Sequence, residues 1–242
     1  MIFLFTDFGA CDIYVGQVKA VLGTRAAGAQ VVDLLHEVPP FDIAAGAHLL
    51  SALSQQLPEG AVIFSVVDPG VGGARRPIVL QADGRWFVGP DNGLLSVVAG
   101  RASAWRIWEI AWRPECMSAS FHGRDLFAPI AAMLAENAWW PAALVARDSL
   151  DVAVAIDDLS QVIYVDHYGN CITGIVARDT GCDAIFSVAG QHLGHALVFS
   201  DVPAGMPFWY ANSLGLVELA LNCGSVADML QLSVGMPVVR IA

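Results

Sequence analysis

Basic side chains are scarce. Lys19 is the only lysine among 242 residues; lysine and arginine together number 12 against 23 aspartates and glutamates, and the formal net charge is −11. Nucleic acid and anionic membrane both call for a basic stripe, so neither is expected as a partner. Cysteines at metal or redox spacing are missing too: Cys11, Cys116, Cys171, Cys182 and Cys223 are odd in number and contain no C-x-x-C pair. That argues against a disulfide framework or a structural zinc site and for a reducing cytoplasm. No run approaches eighteen apolar residues, the length a membrane-spanning helix needs. The opening "MIFLFTDFG" has neither a basic leader nor a small-residue cleavage site and reads as a buried strand, not a signal peptide. Charge of either sign is sparse, 14% of residues, whereas 56% are hydrophobic. A surface so poor in charge is expected to hide apolar area between subunits.

What is there alternates. "IFLFT", "AQVVDLL" and "GAVIFSVVD" read as strands, and "YVGQVKAVLGTR" and "DIAAGAHLLSALSQQL" between them carry apolar residues at near-helical spacing. This rhythm predicts an α/β domain over residues 1–156, with a mostly parallel sheet flanked by helices. "RPIVLQADGRWFVGPDNG" predicts a hairpin turning at Asp83-Gly84, and "GRDLFAPIAAMLAEN" a further helix. Past an acidic linker at Asp157-Asp158, "QVIYVDHYGNCITGIV", "AIFSVAG", "HALVFSDV" and "MPVVRIA" are short β-rich runs. They predict a smaller all-β, barrel-like domain over 159–242.

Polar clusters fall where strands end, the usual ligand site of open parallel sheets. "TDFGACD" offers Asp7 and Asp12; "VVDPGVGGARR" offers Asp68, Arg75 and Arg76; "FHGRD" offers His122, Arg124 and Asp125. Singly, each has a plain structural reading. Asp7 and Asp12 suit helix caps, Asp68-Pro69-Gly70 is an ordinary turn, and Asp125 favours a helix start. Their joint location is the stronger signal. "VGGARR" is not a G-x-x-x-x-G-K-[ST] loop and no G-x-G-x-x-G occurs, so the common nucleotide-binding loops and the common methyltransferase loop are unsupported. Later, "DHYGN" gives Asp166, Tyr168 and Asn170 on a tight turn. "ANSLGLVELALNCGS" gives Asn212, Ser213, Glu218 and Asn222, which as structure alone is a capped amphipathic stretch.

Taken in order, "TDFG…YVG", "DPGVG…RR", "GPDNG", "FHGRD", "D-x-YGN" and "NS-x-G" resemble the S-adenosyl-L-methionine hydrolases, also called SAM hydroxide adenosyltransferases, relatives of the fluorinase and chlorinase. The resemblance covers nearly the whole chain. It implies an N-terminal α/β domain, a C-terminal β domain, and a homotrimer whose substrate lies at the subunit interface. It also implies hydrolysis of S-adenosyl-L-methionine to adenosine and methionine, water or hydroxide attacking ribose C5′, with no metal and no cofactor. By motif the catalytic set falls on Asp68, Arg75 and His122; spacing alone selects Arg75 over Arg76. Substrate contacts fall on Asp7, Asp12, Phe41, Asp166, Tyr168, Asn170, Ser213 and Glu218. The chain departs from its relatives at Leu214, where the fluorinase has an arginine near the methionine carboxylate, and at Gly174, where asparagine is common.

The residue types suit such chemistry. A sulfonium leaves as a neutral thioether and needs no acid, so the burden falls on activating water, which a base and a fixed cation can share. Either Asp68 or His122 can serve as that base. Three other readings compete. A halogenase on the same scaffold needs a halide pocket, which an aspartate would repel. A metal-dependent phosphohydrolase would use Asp7, Asp12, Asp68, Asp91 and His122. A binding module would sense the nucleoside without turning it over.

Overall fold

Strand β1 (Ile2–Thr6) is buried along its whole length, as a strand covered on both faces must be. In the computed structural model, which describes residues 1–138 and 141–241, it pairs in parallel with β2 (Val31–Leu35) and β3 (Val62–Val66). The crossovers carry α1 (Ile13–Arg25) and α2 (Ile43–Ser54). The hairpin of β4 (Pro77–Ala82) and β5 (Arg85–Pro90) turns at Asp83 and Gly84, both at positive φ, the geometry an Asp-Gly turn favours. Strand β5 lies parallel to β3, while β4, β6 (Trp105–Ile110) and β7 (Leu144–Arg147) run antiparallel to their neighbours. The result is a mixed seven-stranded sheet of order β2-β1-β3-β5-β4-β6-β7. Helix α3 (Ser96–Arg101) precedes β6, and α4 (Ala128–Ala135) is buried from Ala128 to Leu134.

The helix expected over "GRDLFAPIAAMLAEN" is two structures. Gly123–Phe127 forms a π-turn, closed by Ala128 N donating to Gly123 O, and only then does α4 begin, with Pro129 in its first turn where no N–H is required.

By its contacts the chain divides into Met1–Ser51 with Leu57–Ile156, and Ala52–Gln56 with Asp157–Ala242. In the second unit β8 (Leu159–Val165), β9 (Cys171–Val176), β12 (Pro207–Ala211) and β13 (Leu216–Leu221) make an antiparallel sheet of order β12-β13-β9-β8. A three-stranded sheet of order β11-β10-β14 joins β10 (Phe186–Val188), β11 (Gln191–Leu193) and β14 (Val239–Arg240). Fully buried Trp209 and Phe186 meet edge to face in its core. One short helix, α5 (Val226–Leu230), is capped by Ser225 Oγ, which accepts from Asp228 N.

Two runs differ from expectation. "HALVFSDV" contributes a lone bridge from His195 to Trp209 and a 3-10 turn at Phe199–Asp201 rather than a strand. The "LVELAL" of the supposed amphipathic stretch is β13, buried at all six positions because both faces are covered.

Candidate active site

The first site builds from the carboxyl ends of β1 and β3. Past Thr6 the chain turns at Gly9, whose φ is 77° and whose N–H donates to His36 O at 2.8 Å. Asp12 then caps α1, its Oδ1 accepting from Ile13 N at 2.6 Å. Asp7 Oδ2 accepts from Phe41 N at 3.3 Å. Phe41 is 74% exposed and sits at φ 65°, a left-handed conformation that a bulky residue adopts only where its surroundings impose it. Burial raises the Asp7 carboxyl above the usual range, and the nearby Asp68 charge adds to the rise.

After β3, Asp68-Pro69-Gly70 does form a turn, with Val71 N donating to Asp68 O at 3.2 Å. The glycines that follow serve packing. At Gly72, φ 78°, a Cβ would stand 2.5 Å from Ala119 O, so only glycine lets this loop approach the loop that leads into His122. Arg75 then reaches back. Its Nε donates to Asp68 Oδ1 and Oδ2 at 3.0 and 3.1 Å, and its Nη2 to Oδ2 at 2.5 Å. The same Nη2 lies 2.9 Å from His122 Nδ1. An arginine can only donate, so Nδ1 is the bare nitrogen of a neutral ring and the proton sits on Nε2. Burial, reinforced by the Arg75 charge, lowers the His122 pKa below its usual value and keeps the ring neutral. The adjacent Arg76 points elsewhere, to Asp151 and Glu109.

Beside this arrangement lies a cavity of about 370 Å³. Asp7, Asp12, Phe41, Asp68 and His122 line it, together with Phe8, Tyr14 and Phe121, which sequence reasoning did not single out. The three aromatic rings pack on one another at 5.5–6.0 Å between centroids. Each flanks a polar motif that was singled out, and that adjacency was the available signal. Arg75 is not part of the lining; it stands behind Asp68 and His122. Of the "HGRD" cluster only His122 and Gly123 face the cavity. Arg124 pairs with Asp125 and Gln17, while Asp125 accepts from Ser118 N, so that pair ties the preceding loop to α1.

The second unit holds a cavity of about 690 Å³ lined by Asp166, Tyr168, Asn170, Phe199, Tyr210 and the Cys223–Ser225 turn, among others. Asp166 organises its own turn, accepting from the backbone N–H groups of Tyr168 and Asn170 and from Asn170 Nδ2. Ser213 is exposed on the β12–β13 turn and does not line this cavity. Neither does Glu218, which is 5% exposed and accepts from Tyr210 Oη at 2.5 Å and Asn212 Nδ2 at 2.8 Å. Sequence reasoning missed Phe199, read there as part of a β run, Tyr210, which stands just before the stretch singled out for Asn212 and Ser213, and Cys223, which lies within it.

The N-terminal domain model of the SAM hydroxide adenosyltransferases matches residues 2–143, and the C-terminal domain model matches residues 160–239. The chain belongs to this family. Among its relatives, a (R)-S-adenosyl-L-methionine hydrolase of Thermus thermophilus is 39% identical, with 98% of each chain covered. A fluorinase of Actinopolyspora mzabensis is 26% identical over 98% of this chain and 96% of its own. The crystal structure of an uncharacterized conserved protein from Thermotoga maritima superposes with a TM-score of 0.90 at 32% identity, 98% of each chain covered.

Asp91 does not join the carboxylates that a metal site would group with it. It is 2% exposed, its Oδ2 accepts from Asp151 N, and it does not line the cavity of Asp68 and His122. Among the described residues, no three His, Cys, Asp or Glu side chains are grouped to hold a metal ion. No helix among them is long and apolar enough to cross a membrane. At Leu214 the backbone N–H donates to Asn212 Oδ1 at 2.9 Å.

Proposed function

We propose that this chain hydrolyses S-adenosyl-L-methionine, in the (R) form named for its relatives, to adenosine and L-methionine. The observation that carries the reading is the convergence of Asp68 and His122 on one cavity wall with Arg75 fixed behind them. A water there attacks ribose C5′: the new O–C5′ bond forms as the C5′–S bond breaks, and the electron pair goes to sulfur, which leaves as a neutral thioether. Because His122 Nδ1 accepts from Arg75, the ring meets the water as a donor through Nε2–H. Asp68, with lone pairs to spare beyond those Arg75 engages, takes the proton. Arg75 supplies a permanent positive charge that holds both groups. Asp7, Asp12 and Asp68 give the cavity a negative potential suited to a cationic sulfonium. Positioning the water about 3–3.5 Å from C5′ contributes several kcal/mol to the rate without any cofactor. A halide in place of water would face the Asp68 carboxylate, which disfavours the fluorinase reaction.

The working unit in this reading is a homotrimer in the cytoplasm. Phe41 and Tyr168, each about three-quarters exposed at the rim of an open cavity, are faces a neighbouring subunit would cover. The unpaired cysteines suit a reducing compartment. Incubation with substrate in ¹⁸O-water should place label in the 5′-hydroxyl of adenosine. Unlabelled adenosine, label in methionine, or 5′-halo-5′-deoxyadenosine as the main product with halide added would overturn the proposal.

A further inference from the structure

Behind the wall that carries Asp7 runs a chain of four side chains, none of which lines the cavity. Lys19 Nζ donates to Asp33 Oδ2 at 2.6 Å. Asp33 Oδ1 lies 3.0 Å from His36 Nε2, and His36 Nδ1 lies 2.7 Å from Thr6 Oγ1. Thr6 Oγ1 in turn accepts from Phe8 N at 3.3 Å. With a neutral histidine ring, donor and acceptor chemistry fixes one direction. A carboxylate only accepts, so His36 Nε2 carries the hydrogen; in the neutral ring that leaves Nδ1 to accept the Thr6 hydroxyl, and the Thr6 oxygen is then free to accept the Phe8 N–H. The distances match those of a nucleophile–histidine–carboxylate triad, yet Thr6 is 1% exposed and His36 6%, and neither lines a cavity described above. A hydroxyl sealed from substrate does no covalent chemistry. It orders what it touches.

What it touches is the site. Asp7 lies between the two ends of the final hydrogen bond, Thr6 and Phe8, and both Asp7 and Phe8 line the cavity. The backbone of the same histidine secures the next residue through Gly9 N to His36 O, and Val38 N donates to Thr6 O at 3.2 Å. Against the opposing pull of partial burial, hydrogen bonds from Lys19 and His36 hold the Asp33 carboxyl below its usual range, so it stays an acceptor.

We infer that Thr6, His36 and Asp33 are positioning residues, a one-way hydrogen-bond relay that sets the Asp7–Phe8 wall of the substrate cavity. The functional part of this inference rests on the hydrolase reading, in which Asp7 faces the substrate; the relay itself does not. Thr6→Val keeps shape and removes the hydroxyl, whereas Thr6→Ser keeps the hydroxyl. In Thr6→Val the Phe8 amide should lose protection in hydrogen exchange, and KM for S-adenosyl-L-methionine should rise about tenfold with kcat changed by less than about threefold, the scale of one net hydrogen bond. Thr6→Ser should restore both readouts. His36→Leu should raise KM as Thr6→Val does, and the double variant no further, because both cut one chain. If either buried variant fails to fold, Asp33→Ala on the exposed side should give a smaller shift of the same kind. Wild-type protection and KM in a folded Thr6→Val protein overturn the relay. Absence of adenosine release by the wild type overturns the hydrolase reading instead, and the exchange measurement still decides the relay.

Discussion

Arg75 serves two acceptors at once, the Asp68 carboxylate through Nε and Nη2 and the His122 ring through Nη2. Lysine offers a point charge and no fork, so Arg75→Lys as well as Arg75→Ala should lower kcat by roughly 10²-fold or more in steady-state assays. His122→Ala should do likewise and Asp68→Ala at least as much. Protonating His122 would take away the nitrogen that accepts from Arg75 and set one cation against another. Activity should therefore fall on the acid side, with a midpoint below the ordinary histidine value because burial and Arg75 depress it. A kcat/KM profile with its acid limb at or above 6.5 would contradict this. At this scale the sequence was only partly readable. Asp68 and His122 stand in motifs, but the choice between Arg75 and Arg76 depends on which side chain the loop before β4 turns toward Asp68, and adjacent identical residues give no sign of that. Thr6, His36 and Asp33 carried no legible pattern, because hydrogen bonds between side chains thirty residues apart leave no periodicity.

Among the elements, β8 and β9 account for a glycine between strands. A Cβ at Gly174 would stand 2.6 Å from Leu159 Cβ and 2.7 Å from Leu159 O, where the register between the strands shifts. Gly174→Asn should thus lower stability by about 1–3 kcal/mol in denaturant unfolding, the usual effect of overpacking. A variant as stable as the parent would show that the strands separate freely. Gly72→Ala should act on the site as well as on stability: its Cβ meets Ala119 O and its φ is positive, so the two loops part, kcat falls and the unfolding midpoint drops. The parallel strands and the Asp83-Gly84 hairpin were legible because continuous apolar runs and a two-residue turn are local signals. The π-turn after His122 was not, since it differs from α-helix by one residue in hydrogen-bond span. Nor was β13, whose burial on both faces erases the alternation that marks a strand.

For the molecule as a whole, a trimer should appear in sedimentation analysis, and specific activity should drop on dilution below its dissociation range; a fully active monomer would sink that assembly. Acid should be tolerated better than usual. Burial raises the carboxyls of Asp7, Asp91 and Glu218 in the folded state, so each destabilises when ionised, and that penalty fades as pH falls through the raised folded values. His122 works in the other direction below 6.5, since its folded value is depressed. The depressed carboxyls of Asp33, Asp125 and Asp151 withdraw stability only as pH drops below 3.8. As pH falls toward the ordinary carboxylate values of 3.8 and 4.5, relief at these three carboxyls, with the −11 net charge also shrinking, should offset the loss at His122 and keep the melting temperature level. A steady decline toward those values would contradict these assignments. Lys19, finally, is the sole lysine and lies within α1. A protease that cuts only after lysine therefore has a single target bond, shielded by helical hydrogen bonds until that helix opens. Digestion should leave the folded chain whole and split the unfolded chain into residues 1–19 and 20–242, so one band on a gel counts unfolding events.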